Sequence, residues 1–148
     1  MQCSRWEPAD QIVGPCADIS FAYATRESVT ATLHFSQTEG LPNRDLLLTF
    51  NGVLSLLWEL EGPGASAMPR NLPRCIVPEW KTWTFPLVQV AGSEWLGQYQ
   101  AIYPAVPVPL CHFLLVSTND LVQLVARADA IARWVPGRAH LPAVERRA

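Results

Sequence analysis

Lysine is nearly absent from this chain: Lys81 stands alone against ten arginines, and charged residues make up only 16% of the 148. The arginine excess fits codon bias better than guanidinium chemistry, because there is no basic stripe with interleaved aromatics to track a phosphate backbone. Nucleic acid is therefore not an expected partner. Long hydrophobic runs are missing as well. The densest apolar stretch, residues 46–60, is broken by Thr49, Asn51, Gly52, Ser55 and Glu59, so it is too short and too polar to cross a bilayer. The first residues, MQCSRWE, lack a basic segment leading into an apolar one, which sets the expectation of no secretory leader and a cytoplasmic location. Four cysteines (Cys3, Cys16, Cys75 and Cys111) could form two disulfides, but in a reducing compartment free thiols are the default.

Recognisable catalytic and metal-binding motifs are also lacking. There is no C-x-x-C, no Cys/His cluster at zinc-ligand spacing, no Walker loop, no G-x-G-x-x-G, no H-E-x-x-H and no G-x-S-x-G elbow. Ser93 follows Gly92, but the second glycine of an elbow is missing and helix capping explains the residue better. His34 falls on the polar face of a strand pattern, where an ordinary exposed histidine is expected. His112 adjoins Cys111, yet neighbours on a strand point to opposite faces, so the two cannot share a metal or pair as nucleophile and base. A hydrogen-bonded core histidine is the better reading of His112. His140 lies in the C-terminal tail. Glu59 and Glu61 share a strand face at i, i+2 and could act as acid and base, although two acids at a strand end are more often a solvated terminus. No cofactor is implied, and the recognisable enzyme classes drop out.

What the chain does have is apolar mass. Hydrophobic residues reach 49%, with six tryptophans, enough for one core in a single domain of this length. Most of those tryptophans belong to a core, while one or two could anchor a partner. Charge is uneven: residues 1–61 hold eight acids against three arginines, giving −5, and the remainder holds five acids against eight bases, giving +3. Scatter over a solvated surface accounts for this; otherwise it would steer a charged partner.

The periodicity is that of strands. Ile19, Phe21 and Tyr23 alternate with polar or small residues, as do Val29, Ala31, Leu33 and Phe35 with Thr30, Thr32 and His34, and the polar run Thr25, Arg26, Glu27, Ser28 between them suits a hairpin turn. Strands are expected on either side of Asn51-Gly52, a site for a bulge or turn. Residues 62–73, rich in glycine and proline, read as a loop. Residues 80–90 read as a strand with Pro86 marking an edge or an end. Ser93 caps a short helix over residues 94–99, and the proline-dense residues 104–109 form a stiff extended link. Residues 111–117 read as a strand buried on both faces. The following segment is ambiguous, because Leu121, Leu124, Val125, Ala128, Ala132 and Val135 fall at helical spacing while residues 121–126 would also pair back as a strand. Residues 136–148 read as a flexible tail. The fold class expected is α+β, mainly antiparallel sheet (a sandwich or a strongly curved sheet), with one or two short helices.

Several pieces resemble a known group. Leu47-Leu48-Thr49-Phe50-Asn51-Gly52-Val53 is followed by Phe85-Pro86-Leu87-Val88-Gln89-Val90-Ala91-Gly92-Ser93-Glu94-Trp95-Leu96. Then come Leu110-Cys111-His112-Phe113-Leu114-Leu115 and Thr118-Asn119-Asp120-Leu121-Val122-Gln123-Leu124-Val125-Ala126. Their order and spacing over about residues 45–135 resemble small bacterial proteins, some of them similar to the immunity proteins of polymorphic toxin systems. The resemblance implies a strand after the Thr-Asn-Asp turn, which favours strand for residues 121–126 and leaves 129–133 for a helical turn. It also implies a cytoplasmic protein that binds and neutralises a cognate toxin without a catalytic group. An acidic N-terminal half would suit a cationic toxin. The contact residues expected on that reading are Glu39, Asp45, Glu59 and Glu61, with Trp58 or Trp80 as anchor. The alternative is an enzyme or small-molecule binder with an aromatic-lined pocket containing His34 or His112.

Overall fold

A computed structural model describes residues 2–35, 42–60, 85–105, 107–118 and 120–137, with the backbone alone of Glu59 and Leu60. The sequence readings for residues 62–73, 80–84 and 138–148 lie outside that set, as do Glu39, Glu61 and Trp80.

Nine strands and one helix make up the described chain: β1 (Gln2–Arg5), β2 (Asp18–Tyr23), β3 (Val29–His34), β4 (Arg44–Phe50), β5 (Ser55–Leu60), β6 (Leu87–Ala91), α1 (Glu94–Ile102), β7 (Leu110–Val116), β8 (Asp120–Arg127) and β9 (Ile131–Pro136). They form two antiparallel sheets, one in the order β1-β6-β7-β8-β5 and the other β2-β3-β4-β9. The fold is therefore mainly antiparallel β with a single short helix.

The alternating residues do what alternation demands. On β3, Ala31 and Leu33 enter the core, as do Leu46, Leu48 and Phe50 of β4; from the other sheet come Leu87, Phe113, Leu115, Val122, Leu124 and Ala126, all in one buried cluster. Both sheets thus bury an inner face in the same core. Trp6, Phe50 and Phe113 link them at ring-centroid distances of 4.6 to 5.8 Å. β7 and β8 are buried on both faces, since a second cluster (Val88, Val90, Leu114, Val116, Leu121) and a third (Leu96, Leu110, Val125) cover their outer side. The near-continuous apolar run of β7 has this cause.

The hairpin β2–β3 has the expected ends, with Asp18 opposite His34 and Tyr23 opposite Val29. Asn51-Gly52 is neither a bulge nor a hairpin turn. It is a crossover that carries the chain from β4 in one sheet to β5 in the other. Gly52 takes φ +56°, and the crossover is tied down where Val53 N–H donates to Glu27 O and Arg127 N–H to Asn51 O. Pro86 immediately precedes β6, an interior strand of its sheet, so its missing donor is lost at a strand end. α1 begins where Ser93 Oγ accepts from Leu96 N–H at 2.9 Å and runs to Ile102, three residues past the expected Tyr99.

Two expectations need correction. Residues 131–136 are strand β9 and not a helical turn: Ala132 lies opposite Leu48 and Trp134 opposite Leu46, both packed against the core, while Val135 of the apparent helical stripe lies opposite Asp45 on the other face. Pro136 closes this strand, and Gly137 N–H donates to Asn43 O, so the tail begins later than residue 136. The thiols also differ from expectation. Cys16 and Cys111 are free, whereas Cys3 is disulfide-bonded. Burial pushes the thiol pKa of both free cysteines up, which disfavours the reactive thiolate.

Candidate functional site

Three local arrangements bring together groups with chemical or binding potential. The first is on the outward face of the four-stranded sheet. Register places Asp18, His34 and Asp45 side by side on β2, β3 and β4, with Ser20 two residues along β2 on the same face. His34 is not exposed as expected; it is 2% accessible. Its Nδ1 lies 3.0 Å from Asp45 Oδ2, and its Nε2 lies 2.9 Å from Ser20 Oγ and 3.7 Å from Asp18 Oδ1. A carboxylate only accepts, so Asp45 fixes the proton of the neutral ring on Nδ1 and leaves Nε2 as an acceptor toward Ser20. Asp45 is itself oriented by Phe35 N–H, which donates to Oδ1 at 3.2 Å.

The second arrangement lies on the outer side of the five-stranded sheet. His112 Nε2 sits 3.1 Å from Gln123 Oε1, and the ring meets Trp95 edge-on at 5.0 Å beneath α1. Burial holds the His112 pKa below its usual value, opposed by the Gln123 hydrogen bond. With Nε2–H donating to Gln123, buried Nδ1 has no hydrogen-bond partner. The core-histidine expectation agrees with this placement. Cys111 lies on the opposite face of the strand, in contact with the shared core.

The third is the side of the molecule where edge strands β2 and β5 come together. Trp58 of β5 is 47% exposed, but it is not loose. Its Nε1–H donates to Asp120 Oδ1 at 3.1 Å, and its ring meets Phe21 of β2 at 5.4 Å, edge to face. Asp120 is buried and held in turn, accepting from Ser117 Oγ at Oδ2 while its own N–H donates back to that hydroxyl. Tyr23, on the same side of β2 as Phe21, is 69% exposed. The result is a pinned indole with an open aromatic flank.

Of the expected contact residues, Asp45, Glu59 and Trp58 lie among the described ones, and Asp45 and Glu59 stand in different sheets. Asp45 is buried in the His34 cluster, which removes it from any surface a partner could touch, because a side chain 2% accessible and bonded to a histidine and a backbone amide has no free oxygen to offer. Glu59 occupies a register position opposite Leu121 in the other sheet. Trp58 is half exposed at the β2–β5 edge. Ser20, Asp18, Phe21 and Asp120 were not singled out in the sequence. The first two were accessible from the hairpin register, since pairing residues 18–23 with 29–34 sets Asp18 and Ser20 on the face of His34. Asp45 required the β3–β4 register, which no local pattern supplies. Among the described residues no group of three or more His, Cys, Asp or Glu side chains could hold a metal ion, and no helix is long and apolar enough to cross a membrane. No family model, curated protein or solved structure matches the chain.

Proposed function

We propose that this chain is an immunity-type binding protein that neutralises a cognate, cationic protein toxin through the edge where Trp58, Phe21 and Tyr23 meet. The observation that carries the reading is the state of Trp58: half exposed, yet fixed by a hydrogen bond to a buried carboxylate and by an aromatic neighbour. An anchor already held in one rotamer loses little entropy on binding, and tryptophan is the side chain most enriched at binding hot spots. Neutralisation by occlusion needs a rigid scaffold, which two sheets over a common core supply, and no catalytic group. The net acidity of residues 1–61 favours a basic partner and speeds encounter with it.

The reading places the protein in the cytoplasm, where such a toxin would have to be intercepted. The disulfide at Cys3 is the feature that points instead to an oxidising compartment. Trapping thiols in intact host cells separates the two: a reduced Cys3 supports the cytoplasmic placement, and an oxidised one overturns it. Function is tested by co-expressing the chain with the product of the neighbouring reading frame. Growth is expected to be rescued by the wild-type chain and lost with Trp58→Ala. Killing that is equal with and without the wild-type chain refutes the proposal.

A further inference from the structure

We propose that Ser20, His34 and Asp45 form a nucleophilic centre able to take an acyl group from a small ester, separate from the binding edge. The geometry has the three links such a centre needs: hydroxyl to imidazole at 2.9 Å, imidazole to carboxylate at 3.0 Å, and the carboxylate fixed by a backbone amide at 3.2 Å. The links lie on three neighbouring strands in fixed register, so their mutual positions are set by the sheet and not by a loop. Burial fixes the ring of His34 between its neighbours, while Ser20 is only partly buried and sits on edge strand β2, where a substrate and then water can approach. Asp18 adds a fourth group. Its Oδ1 is buried, accepts no hydrogen bond and lies 3.7 Å from Nε2, within reach of the positive charge that appears when Nε2 takes up a proton.

The chemistry balances without any further reagent than the ester and water. Ser20 Oγ–H gives its proton to His34 Nε2 as Oγ attacks the carbonyl carbon. The tetrahedral adduct collapses, the C–O bond to the alcohol breaks, and the leaving alkoxide takes the proton from Nε2. Water then gives a proton to Nε2 as its oxygen attacks the acyl-Ser20 carbonyl. The carboxylic acid departs and Oγ recovers its proton. Throughout, Asp45 keeps the Nδ1 proton in place and faces the transient imidazolium.

Neither His112 nor the free thiols offer an equivalent. His112 has no hydroxyl or thiol beside it, and both cysteines are held as neutral thiols by burial. The centre also lies on the face of β2 opposite Phe21, so its removal leaves the Trp58 edge intact, and failure of one proposal is distinguishable from failure of the other.

The test is covalent labelling of the full chain with a fluorophosphonate, read by intact mass and by mapping the labelled peptide, beside hydrolysis of p-nitrophenyl acetate. The expected result is a single adduct on Ser20, absent in Ser20→Ala, with hydrolysis about 10²-fold or more slower in Ser20→Ala and Asp45→Asn. A rate that depends on the basic form of a histidine should appear in the pH profile of the wild type and vanish in Ser20→Ala. Ser20→Ala removes one hydroxyl from a partly buried site, and an unchanged thermal midpoint confirms that it folds. Absence of any adduct on the folded wild type, or an adduct and a rate that persist in Ser20→Ala, overturns the proposal.

Discussion

Burial holds His112 neutral at pH values where a free imidazole is charged, and that has a stability consequence of definite sign. The unfolded chain binds the proton near the usual value of 6.5, whereas the folded chain binds it only at lower pH. Between those two values the unfolded state holds more protons, so stability is full above the unfolded value and is lost as pH falls through the window below it. Replacing His112 with Gln should flatten the fall in thermal midpoint between about pH 7 and about pH 5 relative to wild type. A variant whose midpoint falls as steeply as the wild type would place the effect elsewhere. Ser93 is a second residue-scale case. Its hydroxyl satisfies the Leu96 amide at the start of α1, and Ser93→Ala is expected to cost about 1 kcal/mol in a denaturant melt. Gly52 is the third. At φ +56° any side chain is strained, and an added Cβ would lie 2.7 Å from Arg127 Cδ, so Gly52→Ala should destabilise by about 1–2 kcal/mol even if the arginine moves aside.

At the scale of elements, what could be read from the sequence was what depends on local alternation. β2, β3 and the Ser93 cap follow from period and capping chemistry, and β7 from a short apolar run bounded by turn residues. β8 did not, because a mostly apolar segment such as Leu121-Val122-Gln123-Leu124-Val125 satisfies a helical and an extended pattern equally, and burial on both faces erases the alternation that would decide between them. β9 was misread for a related reason: Ala132 is small enough to sit on either kind of face, and only its pairing with Leu48 makes it a strand. β1 is four residues of mixed polarity with no periodic signal, and it exists through its ladder to β6. The same logic makes β9 indispensable. A chain ending after Ala130 would strip β4 of its outer ladder and uncover the flank of Leu46 and Leu48, so it is expected to lose its cooperative thermal transition. Retention of a wild-type melt by that truncation would contradict the pairing.

Taken as a whole molecule, the order of strands is what local pattern could not supply. The chain leaves the four-stranded sheet at Gly52 and returns to it at β9, and edge strands β2 and β5, distant in sequence, lie on the same side. There Phe21 of β2 meets Trp58 of β5, which forms the proposed binding edge, while Asp45 and Glu59 stand on strands of different sheets. Because both sheets share one core around Trp6, Phe50 and Phe113, they are expected to unfold together, and Phe113→Ala should lower stability by about 3–5 kcal/mol in a single transition. The binding claim itself is tested most directly by calorimetric titration of the purified chain against the product of the neighbouring reading frame. The account predicts a stoichiometric complex, weakened by about 30-fold or more in Trp58→Ala and unchanged in Ser20→Ala. Binding of Trp58→Ala with wild-type affinity, or no complex at all, would contradict it.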